Sequence, residues 1–151
     1  WQKHYIVRTC GLYGRAVASG KGGTFVNTML RLAREGKPIR VVGDQICTPT
    51  ATADLAAQPA LLIETRAWGT YNATSGGGCA WSDFAAEIFR LAAGRGLIPA
   101  APSVTPISSA EFGAPARRPA YSVLENRALA DLGLDRMRPW QDALAGYIAS
   151  F

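Results

Sequence analysis

Hydrophobic and polar positions along the chain alternate between strand-like and helix-like periods. Tyr5 to Thr9 is a short apolar strand, and Thr24 to Glu35 carries Phe25, Val26, Met29, Leu30 and Ala33 at helical spacing before Gly36. Lys37-Pro38 stops that helix, and Ile39, Val41 and Val42 supply the β-branched run of a buried strand. Gly43-Asp44 then turns the chain into a polar loop, Gln45 to Thr50, built around Pro49. Thr52 or the residue before it caps the next helix, Asp54 to Glu64, in which Pro59 predicts a kink or an early end. Tyr71 to Ala73 reads as another strand, Gly76-Gly77-Gly78 as a turn, and Ser82 to Ala92 as an amphipathic helix. Pro99, Pro102, Pro106 and Pro115 mark a wandering connection holding one strand, Val104 to Ile107. Leu124 to Leu132 predicts a helix ended by Gly133, and Pro139 opens a last one whose stripe of Trp140, Leu144, Tyr147 and Ile148 reads as packing. Strands alternating with helices, without an internal repeat, make an α/β chain.

Composition narrows what such a chain does. With 151 residues, 48% of them apolar, it can bury one core, and nothing demands a second domain. The net charge of +5 favours an anionic partner. Thirteen of the sixteen basic residues are Arg, however, and they are scattered; Arg31, Arg34, Arg90 and Arg95 fall on or just after helices, where solvated faces explain them. No basic stripe interleaves with aromatics, so the expected partner is a phosphorylated small molecule and not a nucleic acid. Cys10, Cys47 and Cys79 have no metal-ligand spacing and leave an odd thiol if two pair, which points to a reducing cytoplasm. With no leader and no apolar run of membrane length, neither secretion nor membrane insertion is expected.

The candidate chemistry is that of binding. Gln45, Thr48 and Thr50 offer an amide and two hydroxyls around a rigid proline, neutral groups suited to a base or a sugar. Such side chains equally serve turn-stabilising bonds to the backbone. Arg118, stiffened by Pro119, is the best anion candidate, with Arg117 beside it, because a guanidinium fork matches two phosphate oxygens; an exposed ion pair is the competing reading. Gly14 to Lys21 looks like a phosphate loop, yet it has five residues where four belong and Gly22 where Ser or Thr should bind magnesium, so a surface loop is the plainer reading. Asn72 is expected to hold the Ser75 to Gly78 loop, and His4, without a partner in sequence, to lie on the surface.

Several long blocks in order carry a more specific signal: IVRTCGLYG (Ile6 to Gly14), FVNTMLRLAREGKPIRVVGDQICTPT (Phe25 to Thr50), YNATSGGGCAWSDFAAEIFRLA (Tyr71 to Ala92), VTPISSAEF (Val104 to Phe112) and ARRPAYSVLEN (Ala116 to Asn126). Together they resemble the C-terminal half of the dTDP-4-dehydrorhamnose reductase family, which are extended short-chain dehydrogenases/reductases. The resemblance runs nearly end to end. It implies that Tyr5 to Thr9 and Tyr71 to Ala73 are remnant parallel strands of a Rossmann sheet, and that residues 1–151 otherwise form a small α+β substrate-binding domain. In the family the glycine-rich dinucleotide loop and the Tyr-x-x-x-Lys pair lie upstream of the IVRT strand. No Tyr of this chain precedes a Lys by four positions.

The resemblance therefore implies the substrate-binding portion of an NADPH-dependent reductase of dTDP-L-rhamnose biosynthesis, with no catalytic, cofactor-binding or metal residue of its own. NADPH would be held by the absent N-terminal part. The implied partner is a dTDP-sugar, contacted by Gly11, Tyr13, Gln45, Thr48, Thr50, Arg117 and Arg118. Segments like the one around Arg118 face the sugar-nucleotide diphosphate, and RTCGLYG lies beside the substrate pocket. Relatives carry Trp where this chain has Gly11 and Ser where it has Cys10, so Gly11 is expected either to enlarge the sugar pocket or to remove an aromatic contact. An alternative of another class is a non-catalytic module resembling the regulatory subunit of methionine adenosyltransferase. A lone half would expose a sheet face and edge, implying self-association or pairing with the missing half.

Overall fold

A computed structural model describes residues 1–15 and 23–151; Gly20 and Lys21, on which the phosphate-loop lookalike depends, lie outside the described residues. In chain order the first elements are β1 (Tyr5–Arg8), β2 (Leu12–Tyr13), α1 (Phe25–Arg34), β3 (Ile39–Val42), β4 (Ile46–Cys47), β5 (Thr50–Ala51) and α2 (Thr52–Ile63). They are followed by β6 (Gly69–Asn72), β7 (Cys79–Ala80), α3 (Trp81–Gly94), β8 (Val104–Ile107), α4 (Ser109–Phe112), α5 (Arg127–Asp131) and α6 (Trp140–Ile148). The alternation read from the sequence is present, and the fold is α/β.

Strand pairing is mostly parallel. β1 runs beside β6 in the register Tyr5↔Gly69 to Arg8↔Asn72, the parallel pair expected from the resemblance. β2 pairs with β5 and β3 with β8, both parallel, whereas β4 and β7 form a short antiparallel ladder placing Cys47 opposite Cys79. Among the described residues β1 has this one neighbour, and Trp1 and Ile6 are exposed beside it.

The core gathers around α3. Its Phe84, Ile88 and Phe89 are fully buried against Val26, Met29 and Leu30 of α1, Ile39 and Val41 of β3, and Leu144 and Ile148 of α6. Each such side chain contributes about 1.5–3 kcal/mol on burial, so truncating Phe84 to Ala would cost about 3–5 kcal/mol. A second cluster packs Leu62 of α2 and Leu129 of α5 onto Tyr71 and Ala73 beside β1. The α6 stripe is packing as expected, with Trp140, Leu144 and Ile148 buried.

Four details differ from expectation. Pro59 does not end α2: the helix runs on to Ile63, held by Leu62 in the core and by Gln58, whose amide donates to the Leu134 carbonyl at 2.9 Å and accepts from the Arg136 N–H at 3.1 Å. These tertiary contacts outweigh the bond that proline removes. The helix also starts without a side-chain cap at Ala51. Within Gln45 to Thr50 the backbone is partly strand, because Ile46 and Cys47 pair with β7 and the Thr50 N–H donates to the Gly11 carbonyl at 3.0 Å. Finally, only Arg127 to Asp131 of the Leu124 to Leu132 segment is helical, since Leu124 and Asn126 are committed to Thr74 instead.

Candidate functional site

Two adjoining cavities lie along the carboxyl end of β3 and share Gln45, Ala114 and Arg118. One, of about 510 Å³, is the more polar of the two, with Asp44, Gln45, Ser109, Arg117 and Arg118 set among alanines and prolines. Its neighbour, of about 570 Å³, is apolar, walled by Phe25, Met29, Leu32, Trp81 and Phe112. The strand β3 ends at Gly43, whose N–H donates to the Ile107 carbonyl, so the chain turns outward and delivers Asp44 and Gln45 to the cleft. From the other side, the segment after α4 brings Arg117 and Arg118 to the same place.

The aromatic wall has a sequence cause. Trp81 is the first residue of α3, where Asp83 accepts from the Ala80 N–H at 3.3 Å and fixes the helix start. The Phe25 and Trp81 rings lie 4.8 Å apart by centroid, and Phe25 stacks on Phe84 at 5.7 Å. A planar ligand therefore meets a preformed apolar shelf. Phe112, 59% exposed, stands across the opening.

The polar end carries positive charge that is not spent internally. Arg117 and Arg118 are exposed, and neither takes part in an ion pair among the described residues. Among the described residues the exposed ion pair considered for Arg118 is thus not formed. Asp44 is the local negative charge, and its carboxylate accepts from the Ser109 N–H and hydroxyl, which hold its carboxyl below the usual carboxylate range.

The residues expected at the site divide into three groups. Gln45, Arg117 and Arg118 come together in the cleft. Thr48 and Thr50 do not face it: both are fully buried, with the Thr48 hydroxyl donating to the Gly77 carbonyl at 2.8 Å and the Thr50 hydroxyl to the Thr48 carbonyl at 3.2 Å. These are backbone-holding bonds of the kind weighed against ligand contact. Tyr13 is 1% exposed and edges a separate cavity of about 720 Å³ lined by Gly14, Ala51, Arg138 and Tyr147. Its hydroxyl has no partner among the described residues, and burial first, then the Asp54 carboxylate, pushes the phenol above its ordinary range.

Gly11 lies at a close approach of two backbone segments. Its φ is +61°, and a Cβ there would sit 2.6 Å from the Thr48 carbonyl oxygen and 3.0 Å from Pro49 Cα. Glycine serves a close backbone approach at this point, and any side chain on this backbone is strained. The expectation for Asn72 is corrected. Its amide donates to the Glu125 carbonyl, and the loop after β6 is held by Asn126, which accepts from the Thr74 N–H and donates to the Thr74 carbonyl. His4 is exposed, as expected.

Sequence reading missed Ser109 and the aromatic shelf. The Ser108-x-x-Glu111 spacing is a capping-box signature that would have revealed α4, and both halves of the box are formed. Among the described residues no three His, Cys, Asp or Glu side chains are grouped to hold a metal, and no helix is long and apolar enough to cross a membrane.

The structure is thus an α/β fold with mostly parallel strand pairs and a cleft at the carboxyl end of β3. Comparison with known proteins makes this particular: over residues 1–151 the chain matches the family described as the RmlD substrate binding domain, and it belongs to that family. It is 40% identical over 143 residues to the spore coat polysaccharide biosynthesis protein SpsK of Bacillus subtilis, covering 95% of this chain and 46% of that one. It is 41% identical over 145 residues to a dTDP-4-dehydrorhamnose reductase of Streptomyces griseus, covering 93% and 44%. The solved structure of a dTDP-4-dehydrorhamnose reductase from Bacillus anthracis in complex with NADP superposes with a TM-score of 0.85 at 39% identity, covering 97% of this chain and 48% of that one. The chain spans about half the length of the curated relatives it matches.

Proposed function

We propose that this chain is the dTDP-sugar-binding portion of an NADPH-dependent dTDP-4-dehydrorhamnose reductase in dTDP-L-rhamnose biosynthesis. The observation that carries the reading is the joined cleft, an aromatic shelf at one end and two uncommitted arginines at the other. A nucleoside diphosphate has that polarity. The base lies against Trp81 and Phe112, while Arg118, supported by Arg117, binds the diphosphate oxygens. Gly11, Thr48 and Thr50 act behind the cleft by shaping the Gln45 loop, and Tyr13 stands apart from it.

The redox step belongs to groups beyond these residues. No tyrosine here has a lysine four positions on, so no hydride transfer is derived for this chain and none is expected from it alone. NADPH is assigned to the remainder of the longer protein, which the exposed side of β1 would meet. We read residues 1–151 as one substrate domain of a cytoplasmic enzyme. The test is calorimetric titration of the chain with dTDP, with thymidine and with buffer alone. Binding of dTDP that exceeds that of thymidine supports the reading, and equal heats for dTDP and for buffer alone reject it.

A further inference from the structure

A chain of two hydrogen bonds through Ser109 fixes which way the Gln45 amide points. The Ser109 hydroxyl lies 2.6 Å from Asp44 Oδ1 and 2.8 Å from Gln45 Nε2. An ionised carboxylate has no proton to give, so the single hydroxyl proton of Ser109 is directed at Asp44. The Ser109 oxygen is left to accept, and its partner must be the amide nitrogen. That assigns Nε2 to the Ser109 side and turns Oε1 away from it. Among the described residues Gln45 Oε1 accepts no hydrogen bond.

Gln45 also lies at the junction of the cleft, lining both the apolar and the polar cavity. In a nucleoside diphosphate the group between base and phosphates is the sugar. The 3′-hydroxyl of a deoxyribose is a hydrogen-bond donor there, and a lone amide carbonyl is its complement. Taking the nucleotide reading above as its basis, we infer that Gln45 Oε1 accepts from the deoxyribose 3′-hydroxyl, and that Ser109 is a positioning residue that locks the amide in the accepting orientation. Asp44 acts one bond further out by taking the Ser109 proton. Its backbone-supported bonds to the Ser109 N–H, at 2.9 and 3.0 Å, keep the three groups in line.

The experiment compares dTDP with its 3′-deoxy analogue by titration calorimetry on the full chain. The unaltered chain should bind dTDP about five-fold more tightly than the analogue, the scale of one net hydrogen bond. Ser109→Ala frees the amide to rotate and should bring the ratio to about one, while Ser109→Thr, which keeps the hydroxyl, should restore it. Gln45→Glu, which keeps an acceptor, should preserve discrimination, and Gln45→Ala should abolish it. Equal affinities for the two ligands in the unaltered chain overturn the assignment while leaving dTDP binding itself intact. A ratio unchanged in Ser109→Ala overturns the positioning role. Failure of dTDP to bind at all rejects the nucleotide reading, and this inference with it.

Discussion

Replacing Arg118 by Ala isolates the anion-binding end of the cleft. The guanidinium is exposed and has no ion-pair partner among the described residues, so its removal breaks no internal bond and stability should change by no more than about 0.5 kcal/mol. Affinity should behave differently. Two unit charges about 4 Å apart attract by about 1 kcal/mol in bulk water and about 4 kcal/mol near a protein surface, and a cleft open on one side falls between these limits. A charge-assisted hydrogen bond is worth about 1.5–3 kcal/mol on the same scale. The expected loss is therefore about 2 kcal/mol, roughly thirty-fold in dTDP affinity. Arg118→Lys should recover part of it, because an ammonium keeps the charge and loses the fork. The assay is parallel titration with dTDP and with thymidine. Thymidine has no phosphate, so its affinity should stay within two-fold or so of the original. An equal loss for both ligands, or a lowered melting temperature with unchanged affinity, would refute the assignment.

Other perturbations test other links. Phe112→Ala should weaken thymidine and dTDP alike by about 1 kcal/mol and leave inorganic pyrophosphate unaffected, as titration with the three ligands will show. Gly11→Ala should destabilise the fold by about 1–3 kcal/mol in urea melts, since its φ of +61° and the 2.6 Å approach to the Thr48 oxygen both oppose a side chain. Burial pushes the Cys47 and Cys79 thiols up to about 12, so at pH 8 both stay protonated; mass spectrometry should find them unlabelled by iodoacetamide in the native chain and labelled once it is unfolded. The Asp44 carboxyl is held low by Ser109, so the stability it contributes is present above the ordinary carboxylate value and is lost as pH falls through its lowered folded value; Asp44→Asn should flatten the acid limb of a stability-against-pH curve.

The fold was legible wherever burial and periodicity agreed. Ile39, Val41 and Val42 look like a buried strand because they are one, and Phe84, Ile88 and Phe89 repeat at helical spacing because one face of α3 is core. Reading failed where tertiary contacts outvoted local preference. Pro59 reads as a break, yet α2 continues through it with Gln58 and Leu62 held by tertiary contacts. The site was legible in its charges and opaque in its scaffolding. Arg117 and Arg118 stand out as a pair in any reading of the sequence, and Gln45 follows a strand end. Nothing in the string TPT distinguishes hydroxyls that face a ligand from hydroxyls that hold backbone, because Thr48 donates to Gly77 and Thr50 accepts from the Ser75 N–H, both far away in sequence, besides the local bond from Thr50 to the Thr48 carbonyl. Gly11 was opaque for a related reason. The space around it is set by Thr48 and Pro49, and comparison of residue types alone gives no sign of that close backbone approach.

The central claim is that one continuous cleft receives a nucleoside diphosphate, base against Trp81 and Phe112 and phosphates at Arg118. A crystal structure of the chain soaked with dTDP tests it most directly. The account predicts density for the diphosphate within about 3 Å of the Arg118 guanidinium and for the thymine ring against the aromatic shelf. Density for dTDP in the alanine-rich cavity beside Tyr13 and Arg138, with the Gln45 to Arg118 cleft empty, would contradict it.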